Sequence, residues 1–202
     1  AISKCDLVND ELLELVELEI SELVADTFLA GAPKFRVSAQ QGKGIEELRS
    51  ALIECALQAE LPATGDVRFR MPIDRVFSPA GQGAVVTGTV WRGSIQVGET
   101  LQLLPAAEPV RIRRLQSQGK DVERVAAGER AAINLVGIKA TAIRRGDELA
   151  TPQAFTPSRR HLVQLRVLPD AKQPLKHRQL VRLHLGADQT TAQILLDQRE
   201  VP

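Results

Sequence analysis

Asp74-Arg75-Val76-Phe77-Ser78-Pro79-Ala80-Gly81-Gln82-Gly83-Ala84-Val85-Val86-Thr87-Gly88-Thr89-Val90 decides the architecture of most of this chain. Two β-favouring runs flank a Pro-Ala-Gly turn signal, and Ala84–Val90 is too rich in β-branched residues for a helix. Before it Arg68-Phe69-Arg70-Met71-Pro72-Ile73 alternates with a period of two, and Thr100–Leu104, Val110–Leu115, Ala131–Val136 and Glu148-Leu149 follow as further short strands. Arg92-Gly93, Val97-Gly98-Glu99, Ala127-Gly128-Glu129 and Arg145-Gly146-Asp147 supply the turns between them. Many short strands with Gly-rich turns predict a closed antiparallel barrel over residues 66–153, its interior lined by Val85, Val86, Ile112, Ile133 and Leu135. A second β segment, residues 154–202, has strands expected at His161–Leu168, Leu180–Leu185 and Thr191–Leu196, and Pro202 is expected to cut that barrel off before it closes.

Upstream the period changes. Asn9 or Asp10 can cap a helix whose apolar positions Leu12, Leu13, Leu15, Val16, Ile20, Leu23 and Val24 favour one side. Lys34–Val37 reads as a short buried strand, and Ile45, Leu48, Leu52, Ile53 and Ala56 repeat at helical spacing after a Gly42/Gly44 loop. Residues 1–60 are therefore part of an α/β sheet, in which ligands sit at the carboxyl ends of strands. Leu61-Pro62-Ala63-Thr64-Gly65 reads as the linker to the barrel. The expected fold class is α/β plus all-β.

Both strand-end loops of the α/β segment suit a guanine base. The Asp6 carboxylate can accept from guanine N1–H and N2–H₂ together, a donor pair that adenine lacks. The stem of Lys4 can lie along the flat base with its ammonium in water. The backbone N–H of Ala39, beside Ser38, can donate to guanine O6. No Gly-x-x-x-x-Gly-Lys-Ser/Thr loop occurs, so nothing here cradles phosphates or their magnesium. The stretch is expected to be an internal fragment that holds the base-reading edge of a nucleotide domain and lacks the edge that hydrolyses. By itself it is expected to carry no cofactor.

The bulk properties narrow the function classes. A length of 202 residues suits two or three domains. Formal net charge is +1 with 25% charged residues, so any RNA contact must come from local basic patches. The candidates are Arg111, Arg113 and Arg114 in the barrel, and Arg159, Arg160, Lys176 and Arg178 beyond it. No apolar run approaches the roughly 18 residues of a membrane span. Cys5 and Cys55 lie far apart without metal-ligand spacing, and His161, His177 and His184 are scattered, which points to no metal site. No Ser/His/Asp or Cys/His arrangement of a self-contained catalytic centre stands out.

Ser3-Lys4-Cys5-Asp6 resembles the Asn/Thr-Lys-x-Asp motif of GTP-binding proteins, with Ser3 in the place of Asn or Thr, and Ser38-Ala39-Gln40 resembles their Ser-Ala-x loop. The Asp74–Val90 stretch, with Gly93, Val97-Gly98-Glu99, Gly128 and Arg145-Gly146-Asp147, resembles the second domain of translational GTPases. Within that superfamily the chain is similar to the selenocysteine-specific elongation factors. Asp74-Arg75 stands where the general factor has two acidic residues, and Arg130 falls where the general factor lacks an arginine. Pro174-Leu175-Lys176-His177-Arg178 and Arg182-Leu183-His184-Leu185-Gly186 resemble the third domain of the selenocysteine-specific family.

The resemblance implies a parent protein that binds GTP or GDP with Mg²⁺, works in the cytoplasm, and delivers selenocysteinyl-tRNA to the ribosome. It also implies reading of an mRNA hairpin through regions outside this stretch, and no membrane partner. Ser3, Lys4, Asp6, Ser38 and Ala39 become the guanine contacts; Asp74, Arg75 and Arg130 become an aminoacyl pocket. The chemistry agrees, because a selenol is more acidic than a thiol and is largely an anionic selenolate near neutral pH. Arg75 and Arg130 can meet that charge with donors that never deprotonate, while Asp74 orients one of them. Serine would leave the cations unmatched. The alternatives are a general or initiator aminoacyl-tRNA carrier and a non-catalytic barrel that docks RNA or the ribosome.

Overall fold

The change of period near residue 66 is a change of architecture. A computed structural model describes residues 1–59, 68–168, 171, 173–197 and 200–201. The linker expected over residues 61–65 lies outside them. The chain divides into two compact units, Ala1–Glu60 and Leu61–Pro202.

In the first unit β1 (Ile2–Ser3), α1 (Asp10–Val24), β2 (Arg36–Val37) and α2 (Ile45–Gln58) alternate. β1 and β2 are parallel, with Ile2 opposite Arg36 and Ser3 opposite Val37. The strand expected over Lys34–Val37 shrinks to Arg36–Val37, because β1 offers only two residues of partner backbone. Asn9 caps α1: its Oδ1 accepts from Leu12 N–H at 3.1 Å. Arg36 ties the strand to the helix, donating to both carboxylate oxygens of Glu17 at 2.6 and 3.0 Å. The apolar side read along α1 is only partly used. Leu13 is buried and Val16, Ile20 and Val24 are half-buried, whereas Leu12, Leu15 and Leu23 are exposed. A two-stranded ladder covers one flank of a helix, so the other flank stays in water.

The second unit is built on β3 (Arg70–Pro72), β4 (Arg75–Phe77), β5 (Ala84–Thr89), β6 (Ser94–Gln96), β7 (Thr100–Leu104), β8 (Glu108–Ser117), β9 (Lys120–Val122), β10 (Arg124–Ala126), β11 (Arg130–Val136) and β12 (Glu148–Ala150). The main sheet runs β3-β12-β7-β8-β11-β5-β4, with β9 beside β8, while β6 pairs with β10. Its two ends, β3 and β4, are halves of one bent stretch, so the sheet closes on itself. At the bend Ile73 exchanges hydrogen bonds with Gly146 and Asp147, and Asp74 N–H donates to Thr87 C=O at 2.9 Å. Gly88 makes the bend possible: a Cβ there would lie 2.1 Å from the Pro72 carbonyl oxygen.

Strand alternation fills the interior with Phe69, Met71, Ile73, Val86, Ile112, Leu115, Ile133, Leu135 and Leu149, all essentially buried. Val85 departs from the sequence reading. Ala84, Val86 and Gly88 point inward, and period two therefore sends Val85 and Thr87 to the outer face, where they are half-buried. Outside the barrel wall, Arg70 forms a bidentate pair with Glu148 at 2.7 and 2.9 Å, and its guanidinium is within cation–π distance of the rings of Trp91 and Phe155.

Beyond the barrel, β13 (Leu175–Lys176) pairs with β16 (Glu200–Val201), and β14 (Leu180–Leu185) forms a hairpin with β15 (Asp188–Gln193). Arg145 holds the hairpin turn to the barrel by donating to Ala187 C=O at 3.0 Å. The expected strand His161–Leu168 is absent: no described backbone pairs with it, and Leu162, Val163, Leu165 and Leu168 are exposed. The expected strand over Thr191–Leu196 is displaced towards the turn, as Asp188–Gln193.

Candidate functional site

Two groups of candidate residues lie in different units. In the first unit, parallel pairing of β1 with β2 puts the loops that follow them at the same edge. Ser3 ends β1 in an exposed position. Lys4 adopts the left-handed conformation, φ 60° and ψ 34°, which is uncommon for a side-chain-bearing residue. It thereby turns the chain into the single helical turn Cys5–Leu7, closed by Leu7 N–H donating to Lys4 C=O at 3.1 Å. Cys5 is buried beneath that turn, leaving Lys4 exposed and Asp6 half-buried on either side of it.

After β2, Ser38 is fully buried and its side chain is committed to the loop: Oγ accepts from Gln41 N–H at 3.2 Å. Its backbone N–H donates to Lys43 C=O at 2.9 Å, so the loop returns on itself and Ala39 is exposed at its rim. Ser38 therefore shapes the loop rather than offering a free hydroxyl.

In the second unit the register brings Asp74, Arg75 and Arg130 to one outer face. Arg75 is the cross-strand partner of Thr87, and Arg130 of Thr89. Cross-strand partners share a face, and Thr87 and Thr89 share theirs by period two. Arg130 donates to Asp74 through Nη1 at 2.5 Å and Nη2 at 3.2 Å, while Thr87 Oγ1 donates to Asp74 Oδ1 at 2.7 Å. Burial pulls the Asp74 carboxyl upward, but hydrogen bonds from Arg130 and Thr87, with the charges of Arg130 and Arg75, outweigh it and hold the group below the ordinary aspartate value. The Arg130 guanidinium is raised, chiefly by its hydrogen bond to Asp74. It keeps about half of its side-chain surface in solvent (53%), enough to meet an incoming anion.

Arg113 and Arg114 reach the outside by a different device. Ile133 pairs with Leu115 and Asn134 with Arg114, but Leu135 pairs with Ile112, so Arg113 is the extra residue of a β-bulge. Two adjacent arginines thus face out while Ile112 and Leu115 both stay inside. With Gly81, Gln82 and Asn134 they line a groove. Asn134 was not among the sequence candidates. Its Nδ2 donates to Gln82 C=O at 2.6 Å, and its buried Oδ1 has no partner among the described residues. The signal was a lone amide at an outward position of the apolar run Ala131–Val136. Arg111 donates to Gly98 C=O at 3.2 Å, and Arg114 pairs with Asp121 at 3.1 Å. Arg159, Arg160, Lys176 and Arg178 are all exposed, and no described contact gathers them into one site. Among the described residues no cluster of His, Cys, Asp or Glu could hold a metal ion, and no helix is long and apolar enough to cross a membrane.

Residues 83–150 match the family model for elongation factor Tu domain 2. The match spans β5 to β12 and includes Thr87, Arg113, Arg114, Arg130 and Asn134, but starts beyond Asp74 and Arg75. Over 200 residues the chain is 38% identical to the selenocysteine-specific elongation factor of Desulfomicrobium baculatum, covering 99% of this chain and 31% of that protein. It is 32% identical over 197 residues to the selenocysteine-specific elongation factor of Escherichia coli (strain K12), covering 97% and 31%. Over nearly its whole length the chain is similar to selenocysteine-specific elongation factors. The apo crystal structure of the translation elongation factor SelB from Methanococcus maripaludis superimposes with a TM-score of 0.80 at 26% identity, covering 98% of this chain and 45% of that one. The chain spans about a third of the length of these curated relatives.

Proposed function

We propose that the complete protein is a cytoplasmic, GTP-dependent elongation factor that delivers selenocysteinyl-tRNA to the ribosome. Residues 1–60 belong to its GTPase domain, 66–153 form its second domain, and 154–202 are part of its third. The observation that carries this reading is the Asp74–Arg130 pair with Arg75 on the same outer face of the barrel.

In this reading Asp6 accepts from the guanine base, Lys4 lies along it, and Ala39 donates to O6, while Ser38 shapes its loop and Ser3 stands exposed at the end of β1 beside the base. The strand-end geometry fits a base: two loops share one edge, and one of them is held by a left-handed lysine. No residue is assigned to the phosphates or Mg²⁺, because the sequence contains no phosphate loop. Arg130 and Arg75 meet the selenolate, and Asp74 orients Arg130. The arginines that line the groove with Asn134 supply donors for phosphate, a group that RNA presents. An mRNA hairpin would be read by parts of the protein outside this chain.

The test is protection of the aminoacyl ester against hydrolysis by the complete protein with GTP, for selenocysteinyl- and seryl-tRNA. Arg130→Ala should reduce the preference for selenocysteinyl-tRNA by about one to two orders of magnitude, the worth of a hydrogen bond to a charged group. GTP affinity should not change. A wild-type preference in Arg130→Ala would overturn the pocket.

A further inference from the structure

One uncharged residue is paired or hydrogen-bonded with every member of the charged group. Thr87 is the cross-strand partner of Arg75, its carbonyl accepts from Asp74 N–H at 2.9 Å, and its Oγ1 donates to Asp74 Oδ1 at 2.7 Å. Arg130 Nη2 approaches the same Oγ1 at 3.4 Å. A hydroxyl has one proton to give. Here the proton goes to the carboxylate, so the oxygen turns its lone pairs toward the guanidinium. Threonine is stiff about χ1, and a strand backbone fixes where that hydroxyl sits.

Asp74 and Arg130 have side chains 29% and 53% exposed, and a pair so exposed ordinarily samples several geometries. With Thr87 holding Oδ1, the carboxylate plane is set, and the two oxygens then set the plane of the guanidinium that grips them. We infer that Thr87 is a positioning residue for anion recognition: its hydroxyl holds Asp74 so that Arg130 is presented in one orientation to the anionic end of the aminoacyl group. The inference rests on the pocket reading given under Proposed function. A threonine that served the sheet alone would be replaceable by valine, which has the same shape and an equal liking for strands. The backbone bond from Asp74 survives that change, so valine removes only the hydroxyl.

The experiment measures the selenocysteinyl-over-seryl binding ratio of the complete protein for Thr87→Val, Thr87→Ser and Arg130→Ala, with GTP affinity and melting temperature alongside. Thr87→Val should lower the ratio about tenfold, less than Arg130→Ala, with GTP affinity unchanged. Thr87→Ser should restore the ratio to within about twofold of wild type, because it returns the donor. Should the valine variant fail to fold, Thr87→Ala makes the same comparison. Carbon-13 titration of the Asp74 carboxyl gives a second reading: its pKa should rise without the hydroxyl and return with serine. A wild-type ratio in Thr87→Val beside a collapsed ratio in Arg130→Ala overturns the role of Thr87 and leaves the pocket standing. Wild-type ratios in both overturn the pocket and, with it, this inference.

Discussion

Asp74 and Asp147 stand on the same barrel and tilt its stability with pH in opposite senses. The folded pKa of Asp74 is depressed, so its pairing contributes stability that is present above the ordinary aspartate value and lost as pH falls through the depressed one. Asp147 is raised, by burial first and by nearby Asp188, against the Arg144 backbone hydrogen bond and charge. Its charged form is disfavoured in the folded state, so stability is lost as pH rises from the ordinary value through the raised one. Thermal unfolding against pH should show Asp74→Asn losing stability at neutral pH and Asp147→Asn gaining it, since the amide oxygen of the latter variant would still accept from Arg144 N–H. A gain in both variants would contradict the assigned signs. At the other site, Asp6→Asn in the complete protein should weaken guanine nucleotides by a few kcal/mol, as expected for a lost charge-assisted bidentate contact. Xanthine nucleotides should then be preferred, because xanthine offers an acceptor oxygen where guanine has its N2 donor. Equal loss for both bases, measured by competition, would make Asp6 a structural residue.

At the scale of the element, the bulge in β8 is the feature the sequence did not announce. Arg113 and Arg114 were legible as basic residues on a strand, but strict alternation would have put one of two neighbours inside. The extra residue opposite Asn134 and Leu135 resolves the conflict between two arginines and two core positions. Removing Arg113 should therefore leave Ile112 and Leu115 inward and the barrel folded, with one cation fewer on the groove. In salt titrations of tRNA binding the log–log slope should flatten by about 0.7 to 0.9 for that deletion, the contribution of one phosphate contact. Charge reversal at Arg111, Arg113 and Arg114 together should flatten it further. An unchanged slope would take these arginines out of RNA contact. The turns and most strand positions were readable because Gly-rich turns and period two are local signals. Thr87 and Asn134 were not: their importance lies in what crosses from the bend before β4, from β11 and from the 81–82 turn, which no single stretch displays.

For the whole molecule, the break between α/β and all-β was legible because the hydrophobic period changes from helical to two near residue 66. Segments that lack a described packing partner were misread. His161–Leu168 has the composition of a strand and no described backbone to pair with, and one flank of α1 is apolar yet exposed. The same logic governs nucleotide binding. The two strand-end loops proposed to read the base are present, but phosphates carry most of the charge of GTP and find no cradle in this sequence. Calorimetric titration of the 202-residue chain with GTP should show no micromolar site, and such a site would contradict the division of labour proposed. Selection of an anionic aminoacyl group by an arginine-bearing barrel face can be measured by competition between selenocysteinyl- and seryl-tRNA for the complete GTP-bound protein. Selenocysteinyl-tRNA should be preferred by at least about tenfold near neutral pH, with the preference shrinking as the medium is acidified and the selenolate is protonated. Comparable affinities for the two esters at neutral pH would contradict it.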